Sequence, residues 1–276
     1  MLEPRGHAGM HGAMLTEPTS PQTHAGLLSM HAAGFPLMSG EGIIGAVTIA
    51  LENKLIEGVE DELLIDTPAG LFRARPRMGA VGAVSAARAR GAVSSVAVTG
   101  VPSFVHSAGL VLKIGTRNIT VDIAFGGQFY AIADSEAIGI PIEIGNAAAL
   151  VRMGREIMDA IESTVHVEHP IDAALKNIHG TIFTGASRTV ADLRSATVLD
   201  GEVLRRSPGV TGTAALMSVL DAMGLLTDGR EFSHEGVLGT TLQGSVARRH
   251  AIGERRAVIP VIEGSASITG FHEFVS

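Results

Sequence analysis

Apolar residues recur with the 3.6-residue period of a helix at Ile43, Ile44, Val47, Ala50, Leu51 and Leu55, and Ser39 stands just ahead of them as a natural N-cap. The spacing predicts a helix over residues 39–55. A second helical run covers residues 146–165, and His169-Pro170 is expected to close it, because the residue before a proline disfavours the α region. A third carries Ala214, Leu216, Met217, Leu220 and Met223, with Gly224 as the residue that ends it. Short runs rich in Val, Ile and Ala at residues 62–66, 93–99, 110–114, 119–123, 180–184 and 196–199 read as strands. Residues 1–37 show no clean periodicity and carry turn signals at Glu17-Pro18-Thr19-Ser20-Pro21.

The two halves share a layout. Laying Ser39-Gly40-Glu41-Gly42 against Gly209-Val210-Thr211-Gly212 pairs Gly42 with Gly212 and sets a small-residue turn ahead of a helix in both. An internal duplication of two α/β halves is the simplest reading. Residues 135–142, SEAIGIPI, suit a boundary, giving a first domain over residues 1–138 and a second over 139–266, with 267–276 returning to the first. The 276 residues, 46% of them hydrophobic, are enough to bury sizeable cores. The net charge of −7 argues against a nucleic-acid partner, since phosphate binding needs clustered Lys and Arg. No cysteine is present, which removes thiolate nucleophiles and Cys-based metal sites. The start, MLEPRGHAGM, has no apolar leader and no stretch has bilayer-spanning length, so a cytoplasmic protein without a membrane partner is expected.

Within MSGEGIIGAV lies a complete G-x-G-x-x-G. A dinucleotide-binding turn needs a strand before the first glycine, and HAAGFPLM carries Gly34 and Pro36 there, although Glu60 or Asp61 stands where a ribose-binding acid belongs. The same glycines suit an anion held at a helix N-terminus, or simple capping and tight packing. His166 and His169 do not have the spacing of a metal site and read as surface or capping residues. Ser207 has no G-x-S-x-G elbow around it, and His234-Glu235-Gly236 reads as a turn. Asp122 and Phe125-Gly126-Gly127 either line a cleft or pack at a strand end, and the ten methionines read mostly as core filler.

Several motifs go further. Glu3-Pro4-Arg5-Gly6-His7, Val121-Asp122-Ile123-Ala124-Phe125-Gly126-Gly127, Ala191-Asp192-Leu193-Arg194-Ser195-Ala196-Thr197, Arg206-Ser207-Pro208, Thr211-Gly212-Thr213 and Ile268-Thr269-Gly270-Phe271-His272-Glu273 resemble the proline racemase family in the family's own order. That family includes proline racemases, hydroxyproline 2-epimerases and trans-3-hydroxy-L-proline dehydratases. The resemblance implies a diaminopimelate-epimerase-like α/β fold of two pseudo-symmetric domains, each with a central helix, and an active site in the cleft between them. It also implies an imino-acid substrate and no cofactor or metal, with a homodimer as the candidate assembly. Met38-Ser39-Gly40-Glu41 looks like the family's M-C-G-H or M-S-G-H turn, whose Cys or Ser is the base for the Cα proton. The resemblance thus makes Ser39 the catalytic residue and Gly40, Glu41, Arg205, Gly209, Val210 and Thr211 the substrate-binding residues.

The departures from the family fall on these positions. Glu41 replaces a His, Arg205 the Asp that contacts the substrate's ammonium, Gly209 a second Cys (Thr in dehydratases), and Val210 a Gly; Thr211 matches. The chain begins later than the family pattern, so the first domain is expected to lack its first strands. Two-base racemisation needs an acid opposite the base, and Gly209 has no titratable atom. Dehydration of trans-3-hydroxy-L-proline is therefore favoured. The alternatives are a hydroxyproline 2-epimerase or proline racemase, and a non-catalytic paralogue acting as a binding module.

Overall fold

The structure is a computed structural model and describes residues 9–31, 34–57, 61–79, 92–200 and 203–273. Residues 3–7 of the first motif, and Glu60, lie outside the described residues. The chain forms two compact units, one made of residues 12–29, 36–98 and 263–276, the other of 1–11, 30–35 and 99–262.

In the first of these, β1 (His11–Thr16) and β2 (Ala25–His31) come from the stretch without periodicity, followed by α1 (Gly40–Glu52), β3 (Leu63–Thr67), β4 (Gly70–Met78) and β5 (Val93–Thr99). β2 runs parallel to β3, with Ala25 opposite Ile65, and β3 turns into β4 as a hairpin. Helix α1 buries Ile43, Ile44, Ala46, Val47 and Ala50, the face its apolar spacing predicts. It stops short of Leu55 because Lys54 takes φ 55°, a left-handed conformation that no helix continues through.

The second unit holds β6 (Ser103–Ile114), β7 (Arg117–Phe125), β8 (Phe129–Asp134), α2 (Ser135–Ile138), α3 (Ala147–Thr164), β9 (Glu168–His169), β10 (Asp172–Lys176), β11 (Ile178–Gly185), β12 (Leu193–Leu199), β13 (Val203–Leu204), α4 (Val210–Ala222), β14 (Phe232–Glu235), β15 (Thr241–Ile252) and β16 (Arg255–Gly264). Its strands neighbour one another in the order β16, β15, β14, β12, β11, β8, β7, β6, and β6 pairs again with β16 through Phe104 and Ala257. The sequence-predicted boundary at 135–142 is α2 and its flank, inside this unit. β8 pairs in parallel with β11, Tyr130 beside Gly180, and so ties the residues before that segment to those after it.

Strand alternation sorts the core of this unit into two sides. Phe125, Phe129, Ala131 and Ala133 pack with Leu150, Ile157, Met158 and Ile161 of α3, while Ala124, Tyr130 and Ile132 pack with Ala215, Leu216 and Val219 of α4. Each large side chain so buried contributes roughly 1.5–3 kcal/mol. Helix α4 buries Val210 and all of residues 212–219, the pattern of a helix enclosed on every side.

Three local expectations are corrected. Helix α3 ends at Thr164, five residues before His169, where the β-branched Thr164 turns its hydroxyl back to the Ala160 carbonyl and Val165 becomes extended. His234 and Glu235 lie in strand β14 and not in a turn, because their backbones pair with Leu242 and Thr241 of β15. Met38, Met158 and Met217 do fill core positions, but Met14, Met78 and Met223 are exposed. Among the described residues no helix is long and apolar enough to cross a membrane.

Candidate active site

The residues singled out from the sequence form two groups, each at the start of a 13-residue helix. In the first unit Ser39 is extended at φ −141°, ψ 117°, and its Oγ accepts a hydrogen bond from the Gly42 N–H at 3.1 Å. Its carbonyl accepts from Ile43 N–H at 2.9 Å, the first intrahelical bond. The Ser39 hydroxyl therefore sits where the helix dipole and an amide donor both favour negative charge on oxygen. Gly42 keeps that hydroxyl uncrowded: a Cβ there would lie 3.1 Å from Ser39 Cβ and 3.3 Å from its Oγ. Gly40 is buried, and Glu41 is half-buried in the first turn.

The second group sits at the start of α4. Gly209 is the N-cap, at φ 84°, ψ 128°, and offers no side chain to the helix. That φ lies in the region L side chains avoid, so the backbone here is built for glycine. Its carbonyl accepts from Thr213 twice, from N–H at 2.8 Å and from Oγ1 at 2.7 Å. Val210 is 3% exposed, so what it can offer a ligand is its N–H, one of the amides that has no partner within a helix. Thr211 is half-buried, and its Oγ1 shares a 2.7 Å hydrogen bond with Tyr130 OH. Arg205 is half-buried too, with its N–H bonded to the Thr197 carbonyl at 2.8 Å.

Four further residues shape this second group: the sequence marks Gly126 and His234 only as parts of short motifs, and gives no sign of Tyr130 or His179. Gly126 ends against α4 so closely that a Cβ would lie 2.2 Å from the Thr211 carbonyl oxygen and 2.4 Å from Ala215 N, which makes it a packing element of the helix start. Tyr130 is fully buried and meets the edge of the His179 ring at 5.7 Å. Burial pushes His179 down to about 4, helped by the positive charge of Arg205 and opposed by Asp200, so it is neutral at pH 7. His234 is wholly buried, which takes its pKa down to about 3; it bonds Thr213 Oγ1 through Nδ1 at 2.8 Å and Ser195 Oγ through Nε2 at 2.7 Å. Gly126 and His234 carried a sequence signal through the motifs they stand in, but neither the packing of the one nor the hydrogen bonds of the other could be read there.

The other candidates are structural. Asp122 accepts from the Gly109 N–H at 2.8 Å and so braces β6 against β7. His166 pairs with Glu168 at 3.1 Å on the surface, whereas His169 is buried against the rings of Phe104 and Phe125. Among the described residues no group of three or more His, Asp or Glu could hold a metal ion. The stretch between Gly34 and Ser39 holds no strand, only a bridge from Gly34 back to His31, so the G-x-G-x-x-G lacks the strand a dinucleotide turn requires.

Known proteins resemble this chain over its whole length. A trans-3-hydroxy-L-proline dehydratase from Bacillus cereus is 38% identical over 279 residues, covering 100% of this chain and 80% of that protein. A proline racemase from Clostridioides difficile is 33% identical with the same coverage. The crystal structure of a hydroxyproline epimerase from Agrobacterium vitis with bound trans-4-hydroxy-L-proline superposes with a TM-score of 0.87 at 29% identity, over 99% of this chain and 77% of that one. The α/β fold is thus shared with enzymes of this group. The family description "Proline racemase" matches residues 1–275, and the chain belongs to the proline racemase family.

Proposed function

We propose that this protein removes the Cα proton of a proline-like imino acid without a cofactor, and that its reaction is the dehydration of trans-3-hydroxy-L-proline. The observation that carries this choice is Gly209. The position where the family resemblance puts a second Cys, or a Thr, holds no side chain and has a backbone at φ 84° that disfavours one. A racemase needs an acid on the face opposite its base.

Elimination from this substrate needs one face only. In trans-3-hydroxy-L-proline the carboxylate and the hydroxyl lie on opposite faces of the ring, so the Cα hydrogen and the C3 hydroxyl share a face. Ser39 Oγ takes the Cα proton, the C–H electrons form the Cα–C3 double bond, and the C3–O bond breaks. The same proton leaves with the hydroxyl as water, and the enamine product tautomerises to a cyclic imine. Serine is a weak base; the Gly42 N–H at 3.1 Å and the dipole of α1 lower the cost of its alkoxide. On this reading the free backbone N–H groups at the start of α4, with Thr211, hold the substrate carboxylate. Arg205 and Glu41 reverse the charges of the family's Asp and His, which suits a substrate of altered charge layout that offers Arg205 a carboxylate to bind bidentately. The finer description of the fold as diaminopimelate-epimerase-like, and assembly as a homodimer, belong to the same proposal.

A second reading is favoured by the same substitutions: a paralogue that binds an imino acid and does not turn it over. Incubating trans-3-hydroxy-L-proline, trans-4-hydroxy-L-proline and L-proline separately with the protein, and following each by proton NMR and chiral chromatography, tests both. A dehydrated product from the first substrate alone supports the dehydratase. Formation of D-proline or of an epimer from the others overturns it, and binding without any product establishes the paralogue.

A further inference from the structure

The hydrogen bonds around His234 fix more than its place in the core. Thr213 Oγ1 lies 2.7 Å from the Gly209 carbonyl oxygen and 2.8 Å from His234 Nδ1. Two oxygens at 2.7 Å need a proton between them, and a carbonyl has none to give, so the threonine's single proton points at Gly209. His234 Nδ1 must then be the donor to Thr213 Oγ1. Its Nε2, 2.7 Å from Ser195 Oγ, is the bare nitrogen of a neutral ring and accepts from the serine hydroxyl. The chain Ser195 to His234 to Thr213 to Gly209 has one direction, and runs from strand β12 through β14 to the first turn of α4.

We infer that His234 is a positioning residue: as the Nδ1–H tautomer it ties the N-terminus of α4 to strand β12 and thereby holds the backbone of Gly209, Val210 and Thr211 in the form that receives the substrate carboxylate. The last part rests on the function proposed above; the tautomer and the tie do not. Helix α4 has no side chain at its N-cap to do this work. The fully buried ring, neutral because burial opposes its charge, keeps the same donor and acceptor throughout the physiological pH range.

The test uses the full chain with 15N-labelled histidine, beside His234→Asn and His234→Gln. The Asn amide nitrogen takes the place of Nδ1 and retains the donor to Thr213, whereas the Gln amide takes the place of Nε2 and does not. The expected spectrum shows His234 with a protonated Nδ1 and a bare Nε2, unchanged from pH 8 to pH 5. Hydrogen exchange at the Thr213 amide, which bonds the Gly209 carbonyl, is expected to quicken at least tenfold in His234→Gln and to stay within about threefold of the parent in His234→Asn. With trans-3-hydroxy-L-proline as substrate, His234→Gln is expected to raise KM at least tenfold and His234→Asn to restore most of that loss. A protonated Nε2, or a titration between pH 5 and pH 8, overturns the tautomer. Equal exchange and equal KM in the two variants overturns the positioning role and leaves a plain core residue. If no substrate turns over, the spectrum and the Thr213 exchange still decide the tie, and the proposed function alone fails.

Discussion

Helices α1 and α4 have the same length and a glycine as their third residue, yet they begin by opposite means. Helix α1 is capped from outside, by the Ser39 hydroxyl on the Gly42 N–H. Helix α4 has a bare glycine at the cap, and its first turn is fastened from inside, by Thr213 and the buried His234. The outer cap presents the hydroxyl that the proposed function uses as its base. The inner fastening leaves the first amides of α4 without a side-chain partner, which is what a helix needs in order to hold an anion there. The proposed function gives chemistry to one version of the motif and grip to the other.

The largest effect should come from pushing α4 away from its seat. Gly126→Ala sets a methyl 2.2 Å from the Thr211 carbonyl oxygen, against rigid backbone, and is expected to lower stability by about 3 kcal/mol in urea denaturation and to abolish turnover. A stable, active variant would break the claim that Gly126 seats the helix start.

Acid should come next. His234 and His179 have folded-state pKa values of about 3 and about 4, below the ordinary 6.5, so the unfolded chain takes up their protons first as pH falls. The stability this represents is complete above pH 6.5 and declines below it, by up to about 1.4 kcal/mol per pH unit for each histidine. Between pH 6.5 and pH 5.5 His234 is expected to account for a loss of about 1 kcal/mol and the half-buried His179 for less, because solvent screens it, so the total falls between about 1 and 2 kcal/mol. In His234→Asn the slope against pH should fall by about one proton; an unchanged slope would contradict the buried neutral ring.

Restoring a side chain at the bare cap sharpens the comparison. Gly209→Cys places a Cβ on a backbone at φ 84° and should cost about 1.5 kcal/mol, with no D-proline formed from L-proline. Gain of racemisation without loss of stability would show that the glycine is not required by the backbone. The smallest stability change belongs to the outer cap: Ser39→Ala should cost about 1 kcal/mol and Ser39→Gly a few tenths, while both abolish turnover. Activity surviving in either would detach the cap from the chemistry.

What the sequence disclosed and what it hid follow one physical line. Helix α1, its Ser39 cap and the end of α4 at Gly224 were legible because they depend on neighbours within one or two turns; Gly224 takes φ 74° and bonds Asp221, as its place after the apolar run predicts. The family membership was legible because its motifs keep their order. Strand β2 was not, since its residues are mostly buried and give no alternation, and Gly26 within it sits against Thr16 from another strand. The role of His234 depends on Thr213 and Ser195, 21 and 39 residues away, and no local period marks such a partner. Unit boundaries were hidden for a similar reason: the parallel pairing of β8 with β11 reaches across the turn-rich segment at 135–142, and local composition does not record it.

The most direct test of the one-sided site is proton NMR of trans-3-hydroxy-L-proline in deuterated water with the parent protein and with Ser39→Ala. The expected result is loss of the Cα and C3 signals to a dehydrated product with the parent, and an unchanged spectrum with the variant. Dehydration that survives Ser39→Ala, or deuterium entering Cα with inversion, would contradict a single base at the start of α1.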